Sequence, residues 1–76
     1  MRAEQIRKHI NNLAEISSLT PSEKQVLIDL AKGESVQAVA NRTGKSIKTI
    51  STQKRMAYKK IGVNNDILFI YLLFGI

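Results

Sequence analysis

Apolar residues recur along this chain at helical spacing, and helix-breaking residues divide them into five segments. Over residues 3–16, Ile6, Ile10, Leu13 and, at the edge, Ile16 form one stripe, with Glu4, Arg7, Lys8, Asn11 and Glu15 mostly elsewhere. Ser17-Ser18 ends this first helix. The second helix has the clearest start. In Thr20-Pro21-Ser22-Glu23 the threonine hydroxyl can accept from the Glu23 N–H while the Glu23 carboxylate accepts from the Thr20 N–H. Pro21 takes the first helical position, where a missing N–H costs nothing. Val26, Leu27, Leu30 and Ala31 give its buried stripe, and Lys32-Gly33 closes it. Ser35 caps a short third helix, 36–42, directed inward by Val36, Val39 and Ala40. Ser46 caps a fourth, 47–60, which Gly62 stops, and Val63-Asn64-Asn65 leads to a fifth from Asp66 to Phe74. There is no internal repeat and no low-complexity linker, so the expected fold is all-α, a compact bundle with short connections.

The third helix, its turn and the fourth helix fit a helix-turn-helix. Two steeply crossing helices need a small residue where they approach, here Ala40. The turn needs a residue that tolerates left-handed backbone, here Gly44, and the second helix needs an apolar anchor, here Ile50. With Ile50 taken as the inward direction, Ala57 and Ile61 fall within about 20° of it, and Lys48, Thr52, Arg55 and Lys59 within about 40° of the opposite direction. One face is core; the other is two lysines, an arginine and a hydroxyl, with Ser51 and Met56 at its flanks.

Charge sharpens this picture. The net charge is +6, and none of the six acids lies between Ser35 and Asn65, where Arg42, Lys45, Lys48, Lys54, Arg55, Lys59 and Lys60 all fall. A segment so one-sided points to a polyanion, most commonly nucleic acid; the alternative is a solvated basic face with no partner. On the duplex reading, Arg55 can bond N7 and O6 of guanine, and Ser51 and Thr52 are short enough to sit near base edges. Lys48, Lys54 and Lys59 suit phosphates, as do Thr49 and the helix start at Ser46.

What the chain lacks narrows the function classes. Seventy-six residues make one domain, and without cysteine there is neither a disulfide nor a thiolate metal site, in keeping with a reducing cytoplasm. His9, the one histidine, reads as a surface residue, and no metal cluster, phosphate-binding glycine loop or close acid pair stands out, so neither an enzyme nor a cofactor is expected. No signal peptide is visible. The apolar run Ile67 to Ile76 is too short for a bilayer, which takes roughly 20 residues. The expectation is a soluble cytoplasmic protein that makes no use of a membrane.

The chain also carries a family resemblance. Leu19-Thr20-Pro21-x-Glu23-x-x-Val26-Leu27, Ala31-x-Gly33, Val39-Ala40-x-Arg42-x-Gly44-x-Ser46-x-Lys48-Thr49-Ile50 and Lys60-Ile61-Gly62-Val63-x-Asn65 resemble the LuxR-type helix-turn-helix domain, without a gap over roughly residues 19–73. Ser46-Ile47-Lys48-Thr49-Ile50-Ser51-x-Gln53-Lys54 and Asn65-Asp66-Ile67 are further similar to the Rcs-type regulators of capsule and surface structures. The resemblance implies a bacterial transcription regulator that binds double-stranded promoter DNA, with a four-helix core at 19–76 preceded here by an extra amphipathic helix or linker at 1–18. It places base contacts at Ser51, Thr52 and Arg55 and backbone contacts at Lys48, Thr49 and Lys54; periodicity proposes a similar set but puts Lys54 nearer the core. Ala38, Ile47 and Gln53 depart from the family's usual Glu, Glu and His, the last two as in the Rcs-type subgroup.

The family dimerises through its last helix, which here is apolar nearly all round. Leu68, Tyr71 and Leu72 lie outside the inward stripe of Phe69, Ile70 and Leu73 and form the expected dimer interface. Either the first helix covers this helix through Ile6, Ile10 and Leu13, or a second copy does, and self-association is the favoured reading. A homodimer, or a heterodimer with a related regulator, and RNA polymerase are the further partners that the resemblance brings in. The rival class is a protein-interaction module that keeps the fold, abandons DNA and restrains another regulator through the last helix.

Overall fold

The computed structural model describes residues 3–74; Met1, Arg2, Gly75 and Ile76, and with them the ends of the two expected segments and of the apolar run, lie outside the described residues. Five α-helices follow in order: α1 (Ala3–Ser17), α2 (Pro21–Ala31), α3 (Val36–Thr43), α4 (Ile47–Ile61) and α5 (Asp66–Phe74). Each lies within a residue of its expected span, because local signals fix the ends. At Thr20 both halves of the capping box form: Glu23 N donates to Thr20 Oγ1 (3.1 Å), and Thr20 N to a Glu23 carboxylate oxygen (2.9 Å). Ser35 and Ser46 accept from the Ala38 and Thr49 N–H groups, and the Asn65 side chain accepts from the Leu68 N–H at 2.8 Å.

Helices α1 to α4 share one mode of closure. The residue after the last turn takes positive φ, and the next N–H reaches back to a carbonyl five positions earlier: Leu19 to Ala14, Glu34 to Asp29, Lys45 to Ala40 and Val63 to Tyr58. At Gly44, inside the helix-turn-helix, φ is 70°, which a residue lacking Cβ adopts without strain. At the end of α1 the same conformation falls to Ser18, with φ 57°. Left-handed backbone costs a side-chain-bearing residue roughly 1–2 kcal/mol, while glycine loses about 0.4–1 kcal/mol through its freer unfolded chain. Ser18→Gly is therefore expected to stabilise the domain by about 0.5–1 kcal/mol, read as a raised denaturation midpoint at unchanged m-value.

The interior is divided by α2. On one side Leu27 and Ile28 join Ile6, Ile10, Ala57, Tyr58, Phe69 and Leu73. On the other, Val26 meets Val39, Ala40 and Ile50, the small cluster that ties α3 and α4 together. Burial of Ile28 was not expected from a single stripe; α2 packs against α1, α3 and α4, so more than one of its faces is inward. Leu30, Ala31 and Val36, expected inside, are only partly buried. Ile16 corrects the expected stripe of α1: it is 82% exposed, because at 100° per residue it lies about 80° from Ile6 and about 120° from Ile10, off the buried face. Ile6 and Ile10 carry the contact of α1 with Phe69 and Leu73, while Leu13 is half-buried outside that cluster.

Two carboxylates are buried with partners. Glu23 is bonded by Lys60 Nζ (2.8 Å), linking the start of α2 to α4, and the same ammonium reaches the Ser18 carbonyl (3.4 Å). Asp29 takes Arg42 Nη2 at 2.9 Å and the Gln25 amide at 3.0 Å, so α3 is pinned to α2.

Candidate nucleic-acid interface

Helix α4 presents two chemistries on opposite sides. Ile50 and Ala57 are buried, while Lys48, Thr52, Arg55 and Lys59 are exposed, as the wheel places them. Tyr58 was missed by that wheel. Its ring packs on Phe69 with centroids 5.2 Å apart, and its hydroxyl donates to Asp66 (2.8 Å), so α4 buries a broader arc than three apolar anchors suggest. Burial and the Asp66 charge both raise the Tyr58 pKa, keeping that hydroxyl a donor.

The expected contact residues fall into three groups. Lys48, Arg55 and Lys59 are exposed and make no ion pair within 4.0 Å among the described residues; Arg55 Nη2 bonds only Thr52 Oγ1, at 3.4 Å. Ser46 and Thr49 share a hydroxyl–hydroxyl bond of 2.9 Å at the exposed start of the helix, and Ser46 Oγ also caps it. Ser51 is half-buried beside Arg55 along a cleft of about 550 Å³ that runs from α4 to the α4–α5 turn.

Lys54 stands apart. Its side chain is 26% exposed, and Nζ lies 3.0 Å from Asp66 Oδ1 and 5.4 Å from the centre of the Tyr58 ring. Lys54, then Tyr58, hold the Asp66 carboxyl below its ordinary range. The inward lean that periodicity gives Lys54 is thus accounted for by a specific partner on α5.

Folding redistributes the segmental charge. Arg42 is taken by Glu34 and Asp29, Lys54 by Asp66 and Lys60 by Glu23, all acids from outside the basic window. Glu34 and then Asp29 raise the Arg42 pKa further, so this guanidinium is a structural tie. Among the described residues, the cations of the window without an ion pair within 4.0 Å are Lys45, Lys48, Arg55 and Lys59, on α4 and the turn before it. Lys45 was assigned no contact by the sequence reading. Its position next to the Ser46 cap is the signal that the sequence offers, and in the fold it is exposed.

On α5, Phe69 and Leu73 are buried, whereas Leu68, Tyr71 and Leu72 are 45–60% exposed and Ile67 is 80% exposed. The first helix therefore covers one side of α5 and leaves the other open. Among the described residues no helix is long and apolar enough to cross a membrane.

Residues 17–72 match the GerE family, bacterial regulatory proteins of the luxR family. This chain belongs to that family. The transcriptional regulatory protein RcsB of Escherichia coli K12 is 46% identical over 55 residues, covering 72% of this chain and 26% of RcsB. RcsB of Salmonella typhimurium LT2 matches to the same extent. The uncharacterized HTH-type transcriptional regulator YuaB of Escherichia coli K12 is 43% identical over 49 residues, 64% of this chain and 14% of YuaB. This luxR-family chain thus spans about a quarter of the length of RcsB, and the likeness agrees with the Rcs-type motif in residues 46–54. No solved structure matches it.

Proposed function

We propose that this luxR-family domain binds double-stranded promoter DNA and regulates transcription by seating α4 in the major groove. The observation that carries the reading is the division of α4, clamped by Ile50 and Ala57 with Lys48, Thr52, Arg55 and Lys59 open to solvent and without an acid partner among the described residues. Arg55 reads a guanine, and Ser51 and Thr52 approach neighbouring base edges. Ser46, Lys48, Thr49 and Lys59 hold the flanking phosphates, with Lys45 added from its exposure; the family resemblance places Lys54 among them too, but its ammonium is engaged by Asp66. The open side of α5, with Leu68, Tyr71 and Leu72, supports pairing with a second copy, which sets two half-sites about 10 base pairs apart. The unpaired cations weigh against a pure protein-interaction module, since a domain that had abandoned DNA has no use for them.

The test is a titration of promoter fragments and random duplex at several salt concentrations. Each phosphate contact contributes about −0.9 to the slope of log affinity on log salt, so Lys45, Lys48 and Lys59 predict roughly −3 per domain. Arg55→Ala is expected to relax discrimination at one base position, by about 1–3 kcal/mol. Lys48→Ala or Lys59→Ala should weaken all sequences alike and flatten the slope by about 0.9 each. Equal loss of discrimination from all three variants contradicts these roles.

A further inference from the structure

One contact on α4 is withheld from the surface. Lys54 lines the cleft shared with Ser51, Arg55 and Lys59, yet its ammonium is turned onto the first residue of α5. The two groups are unequally placed: the Lys54 side chain is 26% exposed and that of Asp66 72% exposed. Asp66 is not a loose surface acid, because the largely buried Tyr58 hydroxyl fixes the same Oδ1 that receives Lys54. The Tyr58 ring also lies under the ammonium. Lys54, Tyr58 and Asp66 therefore form a closed triangle between α4 and α5.

Resting on the DNA reading above, we propose that Asp66 limits the sequence-independent part of DNA binding by holding Lys54 away from phosphate. A phosphate entering the cleft has to displace a carboxylate already fixed by Tyr58, and it meets a negative charge beside the cations of α4. Removing the carboxylate releases Lys54 toward the cleft and adds one phosphate contact. A partly exposed ion pair is a weak restraint, so the gain is several-fold rather than many orders of magnitude. Phosphate contacts carry no base information, and the gain falls on DNA of any sequence. Asp66 on this reading sets the sequence-independent affinity, acting through Lys54 without touching DNA itself.

The experiment measures binding to a random-sequence duplex between 50 and 200 mM salt for wild type, Asp66→Asn, Lys54→Ala and the double variant. Asp66→Asn is expected to tighten binding and to steepen the salt slope by about 0.9, so that its affinity falls about 3.5-fold more across that range than wild type's. In the Lys54→Ala background the same substitution should no longer steepen the slope. Tyr58→Phe, which keeps the ring and removes the hydroxyl that fixes Asp66, should shift the slope in the same direction by less, and it serves should Asp66→Asn fold poorly. A slope unchanged by Asp66→Asn, or a gain undiminished without Lys54, overturns the proposal while leaving the DNA reading intact. Failure of the wild type to bind any duplex removes the DNA reading itself.

Discussion

Phe69→Ala is expected to cost about 3–5 kcal/mol, the range for truncating a buried aromatic side chain. Phe69 is 2% exposed, packs against the tilted Tyr58 ring and belongs to the cluster that includes Ile6, Ile10, Leu27 and Leu73, so the void it leaves has walls on four helices. A domain of this length has a total stability of only about 4–11 kcal/mol, at 0.05–0.15 kcal/mol per residue. The variant should thus be largely unfolded in modest denaturant, with loss of helical signal and a sharply lowered midpoint. Leu72→Ala, on the open side of the same helix, is expected to stay within about 0.5 kcal/mol. A mild Phe69→Ala phenotype would mean that α5 is held by a partner chain rather than by this core.

The second large effect belongs to Glu23. Its carboxylate closes the capping box of α2 and takes the Lys60 ammonium, so Glu23→Ala removes both and is expected to cost about 2 kcal/mol at neutral pH. Glu23→Gln keeps the capping bond and removes the charge, so it should lose only part of this. The Lys60 bond first, then the Thr20 N–H, hold the Glu23 pKa below its ordinary 4.5. The unfolded chain therefore binds a proton more readily than the folded one. The charge-dependent stability is fully present above 4.5 and is lost as the pH falls through the lower folded value. Denaturation melts of wild type and Glu23→Gln should converge in acid. A gap that stays constant with pH would assign the loss to packing instead.

Much of this architecture could be read from local chemistry. The capping box, the serine caps and Gly44 act within four or five residues, which is why the helix limits were legible. The exposed face of α4 was legible because one inward anchor, Ile50, sets the phase of a regular helix. The interaction partners of charged residues were not. Arg42 and Lys60 looked like members of a basic strip, yet their carboxylates lie in α2 and the turn that follows it, and only the packing of the helices brings them together. Ile28 and Tyr58 were hidden for a related reason. A single-stripe wheel describes a helix packed on one side, whereas α2 and α4 each bury more than one. Ile16 erred the other way, since it stands about 120° round α1 from the buried Ile10, at the margin of the stripe, where apolar character does not bring burial.

The meeting of α1 with α5 has a thermodynamic consequence. Ile6 and Ile10 share one apolar cluster with Phe69 and Leu73, although most of the sequence lies between them. Closing so long a loop is inexpensive, since each doubling of its length adds only about 0.6 kcal/mol, so modest apolar burial is enough to maintain it. Neither terminal helix can then fray by itself, because releasing one uncovers the other. The two ends open and close as one cooperative unit, and whatever orders either of them lends protection to the other.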